Sequence, residues 1–319
     1  MTALVSVSAP MLPATLNADL QAAYDYAVAE KSEATRRAYK GDFDAFQAYC
    51  DGRGVAALPA TPATVAAYLA ALAGKGLRPS SIQRATAAIR YAHKLAGHEA
   101  PTNAEAVKAT LRGIRRTVGT AKDQKTAATS HCLYEMLAAC PATLRGKRDR
   151  ALLVLGFAGA FRRSELVALT VEDITAKDNG YQVTIRRSKT DQTGEGQTIA
   201  ILSGTRMRPV EAVREWLEAA GITTGPIFRP INKAGRVSDK AMTAESAAAV
   251  VKEYAEACGH DPAKFGGHSL RAGFLTSAAE NGANIFKMME VSRHKSVDTL
   301  RSYVRRADLF KDHAGAAFL

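Results

Sequence analysis

Four polar side chains near the carboxyl end have types and spacings suited to binding an anion and acting on it. His268 and Arg271 lie three residues apart, and His294 and Tyr303 lie nine apart. Residues three apart share one face of a helix. The amino-terminal end of a helix also favours anions, because its free N–H groups carry partial positive charge. The pattern therefore predicts a site where a polyanion meets these four side chains.

Three helices must position these residues. The sequence predicts one over residues 269–280, ended by an Asn-Gly pair, a second over 285–290, and a third that starts near Ser296 as N-cap. His294 falls in the turn before the third helix, and Tyr303 falls on that helix. A turn followed by a helix can bring two such side chains to one point.

This stretch resembles the carboxyl-terminal signature of the tyrosine recombinases, the phage integrase family. The resemblance lies in the run His-x-Leu-Arg from His268, a spacer of two short helices, a second histidine, and a tyrosine nine residues later. The family usually has glycine before the second histidine, where this chain has Arg293. The resemblance covers nearly the whole chain, although the amino-terminal part matches only in pattern.

Two upstream motifs extend the resemblance. The family carries an arginine in an R-x-S-E-L context and, after it, a lysine on a β-hairpin. Residues 161–166 read FRRSEL, so Arg162 takes the arginine position and Glu165 its acidic neighbour. Arg163 is the alternative residue for the arginine position, but the R-x-S-E-L register favours Arg162. Residues 185–190 read IRRSKT, so Lys189 is the hairpin lysine.

The resemblance implies a site-specific DNA recombinase that cleaves and rejoins strands through a covalent 3′-phosphotyrosine. It implies no metal and no nucleotide cofactor. The implied catalytic residues are Arg162, Lys189, His268, Arg271, His294 and Tyr303, with Glu165 in support.

The implied chemistry suits these residue types. Cleavage of a phosphodiester places charge on the non-bridging oxygens, which guanidinium groups bind in bidentate fashion. His294 is expected to supply a third hydrogen-bond donor to these oxygens. Tyr303 is the nucleophile, and because a free phenol has a pKa near 10, His268 is expected to act as its base. Lys189 is the family's proton donor to the leaving 5′ oxygen.

Each of the six residues taken alone has an ordinary structural explanation, and only their joint occurrence in order favours an active site.

Two other functions share part of this pattern. A type IB topoisomerase has the same chemistry but acts as a monomer without paired sites. A catalytically inactive DNA-binding relative is disfavoured by the intact set of six.

Composition agrees with a soluble protein that binds an anionic partner. The 319 residues are 47% hydrophobic and 23% charged, with a net charge of +12 and a pI of about 9.6. No apolar run is long enough for a membrane helix, and the amino terminus lacks the basic segment of a signal peptide. We therefore expect a cytoplasmic protein, and the resemblance implies a bacterial, phage or plasmid origin. The four cysteines show no zinc spacing, so no metal site is predicted.

The expected fold is mainly α with a small β-hairpin or sheet. Residues 1–15 are predicted to be a flexible tail and 16–118 a helical DNA core-binding domain of the SAM-like kind. Residues 119–128 read as a linker, and 129–319 as the mixed α/β catalytic domain of the family.

Charge is segregated within the helical domain. Residues 1–74 have a net charge of −2, and 75–125 a net charge of +8. Although a basic run is usually a solvated surface, this segregation favours a DNA-facing side. The predicted DNA-binding residues are Arg36, Arg37, Lys40, Ser80, Ser81, Gln83, Arg84, Arg90, Lys108, Arg112, Arg115, Arg116, Lys122 and Lys125.

The last residues suggest assembly. The segment 307–319 contains Leu309, Phe310, Phe318 and Leu319, which either cap the protein's own core or dock into a neighbouring subunit. The resemblance implies a tetramer on two double-stranded sites with inverted-repeat arms, of the simple Cre-like type. The DNA target, the biological role and any accessory proteins do not follow from the sequence.

Overall fold

The computed structural model describes residues 30–119, 125–186 and 196–307, together with 16, 19, 21–22 and 25–26. The chain forms two compact units, residues 1–123 and 124–319. This division falls inside the predicted linker, and the domain limits themselves stay a prediction. Within the described ranges, no helix combines the length and apolarity that crossing a bilayer requires.

The amino-terminal unit is helical, as predicted. Its elements are α1 (Glu33–Asp51), α2 (Pro62–Gly74), α3 (Pro79–Leu95), a 3₁₀ turn (Pro101–Asn103) and α4 (Glu105–Val118). The first residues of α1, α2 and α3 explain where these helices begin. Ser32 and Thr61 accept backbone N–H groups of the first turns of α1 and α2, and proline opens α2 and α3.

The core of this unit follows the helical spacing of its apolar residues. Phe46 and Cys50 of the predicted α1 stripe are fully buried, and they pack with Leu69 of α2 and Ile89 of α3. The polar faces of α3 and α4 are consequently left to solvent.

Within the described residues, the carboxyl-terminal unit contains eight α-helices, three strands and two 3₁₀ turns (Val171–Asp173 and Pro262–Lys264). The helices are α5 (Ser130–Ala138), α6 (Leu144–Ala158), α7 (Arg163–Ala168), α8 (Pro209–Ala220), α9 (Ala244–Ala257), α10 (Ser269–Glu280), α11 (Ile285–Ser292) and α12 (Val297–Ala307). The predicted helices around the four site residues correspond to α10, α11 and α12.

The sheet is one strand larger than the predicted hairpin. Strands β1 (Ile174–Lys177), β2 (Gly180–Ile185) and β3 (Gln197–Leu202) are antiparallel in the order β1-β2-β3. Strand β1 lacks the alternation of apolar and polar residues, so periodicity does not reveal it. The β2–β3 pairing reaches Ile185 opposite Gln197. Lys189 lies between these strands, outside the described residues.

Helix α6 forms the centre of this unit. Its second half is apolar on all sides and buried from Ala151 to Phe157, as the sequence predicts. The chain then turns through Gly159 and Ala160 to reach Arg162. Ala160 has a φ of 43°, a left-handed conformation that is uncommon for alanine. This turn sets the direction of the carbonyl groups beside the site.

Residues 125–128 pack against α10. The N–H of Ala128 donates to the carbonyl of Ser269 at 2.9 Å, and the N–H of Ser130 donates to Oγ of Ser277 at 2.8 Å. A Cβ on Gly273 would stand 1.7 Å from the carbonyl oxygen of Ala128, so only glycine allows this approach. The carboxyl end of the predicted linker thus helps to hold α10 in place.

A second, smaller apolar cluster joins the last three helices. Its buried members are Leu275 and Ala279 of α10, Met288 of α11 and Leu300 of α12, and the half-buried Tyr303 packs against it. We call these four buried residues the satellite cluster. It determines where α12 presents Tyr303.

Candidate active site

Arg162 and Glu165 are joined by the geometry of a helix start. Arg162 is the N-cap of α7, and Glu165 is the third residue of that helix. The Glu165 carboxylate accepts the backbone N–H of Arg162 at 2.9 Å and Nη1 of its guanidinium at 2.5 Å. The R-x-x-E spacing therefore fixes the direction of the Arg162 side chain.

Glu165 is itself almost fully buried and stays ionised. Burial acts to raise the pKa of its carboxyl group. The charge of Arg293 and the hydrogen bonds from Arg162 outweigh burial, so the pKa lies below its usual value.

Arg271 is 1% exposed and is anchored by the turn after α6. Its Nη1 donates to the carbonyl of Ala160 at 2.8 Å, and its Nη2 donates to Nε2 of His294 at 3.1 Å. Burial, and then the charges of Arg162 and Arg293, lower the pKa of Arg271 to about 9. The guanidinium is still charged at neutral pH.

His294 is neutral, and its hydrogen bonds define its tautomer. Burial, followed by the charge of Arg271, lowers its pKa to about 4. Oγ of Ser292 donates to the carbonyl of Met288 at 2.6 Å, so it accepts from Nδ1 of His294 at 2.7 Å. The proton therefore sits on Nδ1, and Nε2 accepts from Arg271.

The structure brings His268 and Tyr303 together, as expected if His268 acts as the base. Oη of Tyr303 lies 3.5 Å from Nε2 of His268, which is the N-cap of α10. Burial, then the charges of Arg271 and Arg162, lower the pKa of His268. Its imidazole is thus neutral at pH 7 and presents a lone pair or an N–H to the phenol.

Arg293 contributes a contact that the sequence reasoning did not foresee. It occupies the left-handed C-cap position of α11, with φ 59° and ψ 40°, where the family's glycine would fit without strain. Its Nη2 donates to Oε2 of Glu165 at 2.9 Å and to the carbonyl of Ala160 at 3.0 Å. Its Nη1 donates to the carbonyl of Gly159 at 2.9 Å. The sequence shows only an arginine where the family usually has glycine, and neither its burial nor its contact with Glu165 can be read from that difference.

The start of β3 lies beside this site. Gln197 and Thr198 at the start of β3 line an open cleft together with Arg293 and His294. The end of β2 lies close to the same cleft, because Ile185 pairs with Gln197. The position of Lys189 itself lies outside the described residues.

The predicted DNA-binding residues lie mostly on exposed faces of α1, α3 and α4. Exposed side chains are those of Arg37, Lys40, Ser80, Gln83, Arg84, Arg90, Lys108, Arg112, Arg115, Arg116 and Lys125, whereas Arg36 and Ser81 are half-buried. Lys122 lies outside the described residues. The structure thus places a polar, basic surface on α3 and α4, and DNA binding by it stays a prediction.

Several of these residues pair within the protein. Arg84 makes two hydrogen bonds to the Asp42 carboxylate, at 2.7 and 3.0 Å. Arg115 donates to Oε1 of Gln83 at 3.0 Å, which joins α4 to α3. Lys125 belongs to the other unit, where its Nζ donates to the carbonyl of Ala263. These pairs hold the side chains at defined positions before any ligand arrives.

Comparison with known proteins finds matches in both units of the chain. A model of the phage integrase family matches residues 129–309, and a model of the phage integrase N-terminal SAM-like domain matches residues 24–100. The integrase/recombinase xerD homolog of Selenomonas ruminantium is 38% identical over 294 residues, which cover 89% of this chain and 86% of that protein. Recombinase cre of Escherichia phage P1 is 24% identical over 274 residues, which cover 78% and 77%.

A solved structure shows the same fold. The crystal structure of a lambda integrase dimer bound to a COC′ core site matches with a TM-score of 0.59 and 17% identity, over 92% of this chain and 82% of that one. Fold and site together define a two-unit protein of the integrase type. The chain belongs to the phage integrase family, the tyrosine-type site-specific recombinases, which break and rejoin DNA strands. The predicted family, fold class and enzyme class are confirmed.

Proposed function

We propose that Tyr303 attacks the scissile phosphodiester and becomes bonded to the 3′ phosphate of the cut strand. The observation that carries this proposal is the meeting of a phenol, two neutral imidazoles and a buried guanidinium. Oη of Tyr303 lies 3.5 Å from Nε2 of His268, and Nη2 of Arg271 lies 3.1 Å from Nε2 of His294.

The step balances as a transesterification. The Tyr303 oxygen forms a bond to phosphorus while the bond from phosphorus to the 5′ oxygen breaks. Neutral His268 takes the phenol proton, and Lys189 gives a proton to the departing 5′ oxygen. The phosphotyrosine keeps the ester bond energy, so the 5′ hydroxyl of another strand can reverse the step.

Arg162 and Arg271 are proposed to bind the non-bridging oxygens. Glu165 and the carbonyl of Ala160 already hold them in place, so little rearrangement accompanies charge development. Each preorganised donor of this kind is worth about 3–4 kcal/mol in the transition state. The proposed reaction uses no metal or nucleotide cofactor, because the guanidinium groups supply the positive charge that stabilises the non-bridging oxygens.

Covalent trapping tests the nucleophile. Duplex recovered by selecting bound fragments from a random library is nicked near its centre, incubated with the protein and run on a denaturing gel. We expect a covalent adduct with the wild type and with Tyr134→Phe, which replaces an exposed tyrosine of α5. Adduct formation by Tyr303→Phe would refute the assignment. Joining of two different duplexes then separates a recombinase from a topoisomerase.

A sulfur substitution tests the proton donor. A thiolate leaves without protonation, so replacing the bridging 5′ oxygen by sulfur removes the need for an acid. We expect the modified DNA to restore cleavage by Lys189→Met but not by Arg162→Met. Equal rescue of both variants, or of neither, would show that a group other than Lys189 donates the proton to the leaving oxygen.

We also propose a tetramer on two DNA sites, in which the segment 307–319 of each subunit docks into its neighbour. The apolar residues of that segment support this, although the segment lies outside the described residues except for Ala307. In this proposal 16–118 binds the core of the site, 119–128 is the linker and 129–319 carries out catalysis in the cytoplasm. A chain ending at Arg306 should bind one duplex but give no tetramer by sedimentation on DNA. Tetramers of the shortened chain would exclude the exchange.

A further inference from the structure

Three side chains of types that bind metals converge on the carboxyl-terminal unit, away from the residues of the proposed reaction. They are Cys132 and Glu135 of α5 and His260, which follows α9. One thiol sulfur, one carboxylate oxygen and one imidazole nitrogen all lie within 4.8 Å of one another. Nε2 of His260 is 3.3 Å from Oε2 of Glu135.

The fold positions the backbone of each of these three residues independently of the others. Cys132 and Glu135 are three residues apart, so they project from one face of α5. The N–H of His260 donates to the carbonyl of Ala255 at 2.9 Å, which closes the end of α9. The His260 ring also packs on Phe265, with ring centroids 5.4 Å apart. The convergence therefore does not depend on the ion pair between His260 and Glu135.

The donor set suits zinc. One sulfur, one nitrogen and one oxygen are the ligand types that Zn²⁺ binds at about 2.0–2.3 Å. A tetrahedral ion would place its ligand atoms about 3.5 Å apart, so shifts on the order of 1 Å complete the geometry. The Cys132 side chain is 7% exposed, so the sulfur would be shielded from solvent while Glu135 faces outward.

We propose that Cys132, Glu135 and His260 form a zinc site, with water as the fourth ligand. The Cys132 thiol loses its proton to solvent as the zinc–sulfur bond forms. The ion would join α5 to the chain segment that leads from α9 to His268. Without a cation the thiol is inert, since burial, and then the charge of Glu135, raise the pKa of Cys132 to about 11.

Metal analysis of the full-length chain tests the site. The protein, with any affinity tag removed, is reduced with a phosphine, stripped with a chelator, given zinc and passed through a desalting column. We expect one zinc per chain in the wild type and less than a tenth of that in Cys132→Ser and His260→Gln. The matched control is Cys140→Ser, because Cys140 is a half-buried thiol whose Sγ donates to the carbonyl of Met136. It should retain zinc fully.

Two further measurements keep the proposal falsifiable. Cobalt in place of zinc should give a thiolate-to-cobalt absorption band that Cys132→Ser lacks. Zinc in excess should raise the melting temperature of the wild type by about 5–10 °C but leave His260→Gln unchanged. Melting in chelator shows whether each variant is folded. Zinc retention by the two variants equal to the wild type, or no retention by the wild type, would overturn the proposal. None of these readouts involves DNA, so they stand apart from the recombinase assays.

Discussion

Three guanidinium groups surround one turn of backbone. The carbonyl of Ala160 accepts from both Arg271 and Arg293, and Glu165 pairs with both Arg162 and Arg293. One carboxylate cannot neutralise three like charges, so the site carries net positive charge. Such a site suits a phosphate, which would supply the missing negative charge.

Arg293 is expected to stabilise the fold as well as the site. Arg293→Met keeps the Cβ, so backbone strain at the left-handed position is unchanged, but Glu165 loses a buried partner. We expect the free energy of unfolding in urea to fall by about 3 kcal/mol. The cleavage rate should fall too, because the site loses one positive charge and Glu165 then neutralises more of the charge of Arg162.

Arg163→Met is the matched control. Arg163 is exposed and lies 3.6 Å from exposed Glu245, so its loss should cost less than about 1 kcal/mol. Equal destabilisation by the two variants would show that Arg293 has no special role.

His294 predicts a pH dependence of stability. Its folded pKa, about 4, lies below the ordinary 6.5, so the unfolded chain binds more protons between these values. The contribution is complete above pH 6.5 and is lost as the pH falls towards 4. We expect His294→Gln to reduce the loss of unfolding free energy over that range by about 1–2 kcal/mol, allowing for partial exposure. An unchanged slope in His294→Gln would contradict this expectation.

At this scale the sequence predicts much of the site. His268, Arg271, His294 and Tyr303 are brought together as expected because helix periodicity and short turns place them. Arg293 could not be predicted, because a left-handed arginine is stable only when distant groups such as Glu165 and the carbonyl of Ala160 compensate it.

At the scale of elements, α10 links the parts of the site. It starts at His268, carries Arg271 one turn later, approaches Ala128 at Gly273 and contributes Leu275 to the satellite cluster. A shift of this one helix would therefore move two site residues together with the support of Tyr303.

A methyl group at Gly273 tests that dependence. Gly273→Ala places a Cβ against the backbone carbonyl of Ala128, which cannot rotate away, so we expect a loss of about 2–3 kcal/mol by urea unfolding. Gly113→Ala is the control, since a Cβ at that exposed position of α4 meets nothing within 4 Å. Alanine there should stabilise the helix by about 0.5–1 kcal/mol. A neutral effect at Gly273 would show that the 125–128 segment yields easily.

Element prediction succeeded where caps and periodicity coincide, as at Ser32, Thr61 and Pro79. It missed β1, because four residues without alternation carry too little signal and the strand is stabilised only by pairing with β2. The convergence of Cys132 with His260 was also out of reach, since ligands more than a hundred residues apart in sequence show no spacing pattern.

At the scale of the whole molecule, charge should govern DNA affinity. The net charge is +12, and the exposed basic residues of α3 and α4 provide a surface for phosphates. Each neutralised phosphate releases counterions, so affinity should fall steeply with salt.

The salt dependence can be measured residue by residue. For Lys108→Gln and Arg116→Gln, each expected to remove a phosphate contact, the slope of log affinity against log salt should fall by about one apiece. The control is Arg214→Gln, which replaces an exposed arginine of α8 that pairs with Glu218. It should leave the slope unchanged. If all three variants keep the wild-type slope, DNA does not lie across α4.

The support of α12 has a consequence for timing. The four buried side chains of the satellite cluster hold α12, which carries the proposed nucleophile Tyr303, whereas the other apolar core of this unit is many times larger. Amide protons of α12 should therefore exchange with deuterium earlier than those of α6, through partial opening that leaves the arginines assembled. Cleavage would then depend on the docking and release of a single helix, and in the proposed tetramer one Tyr303 can be docked while another is undocked.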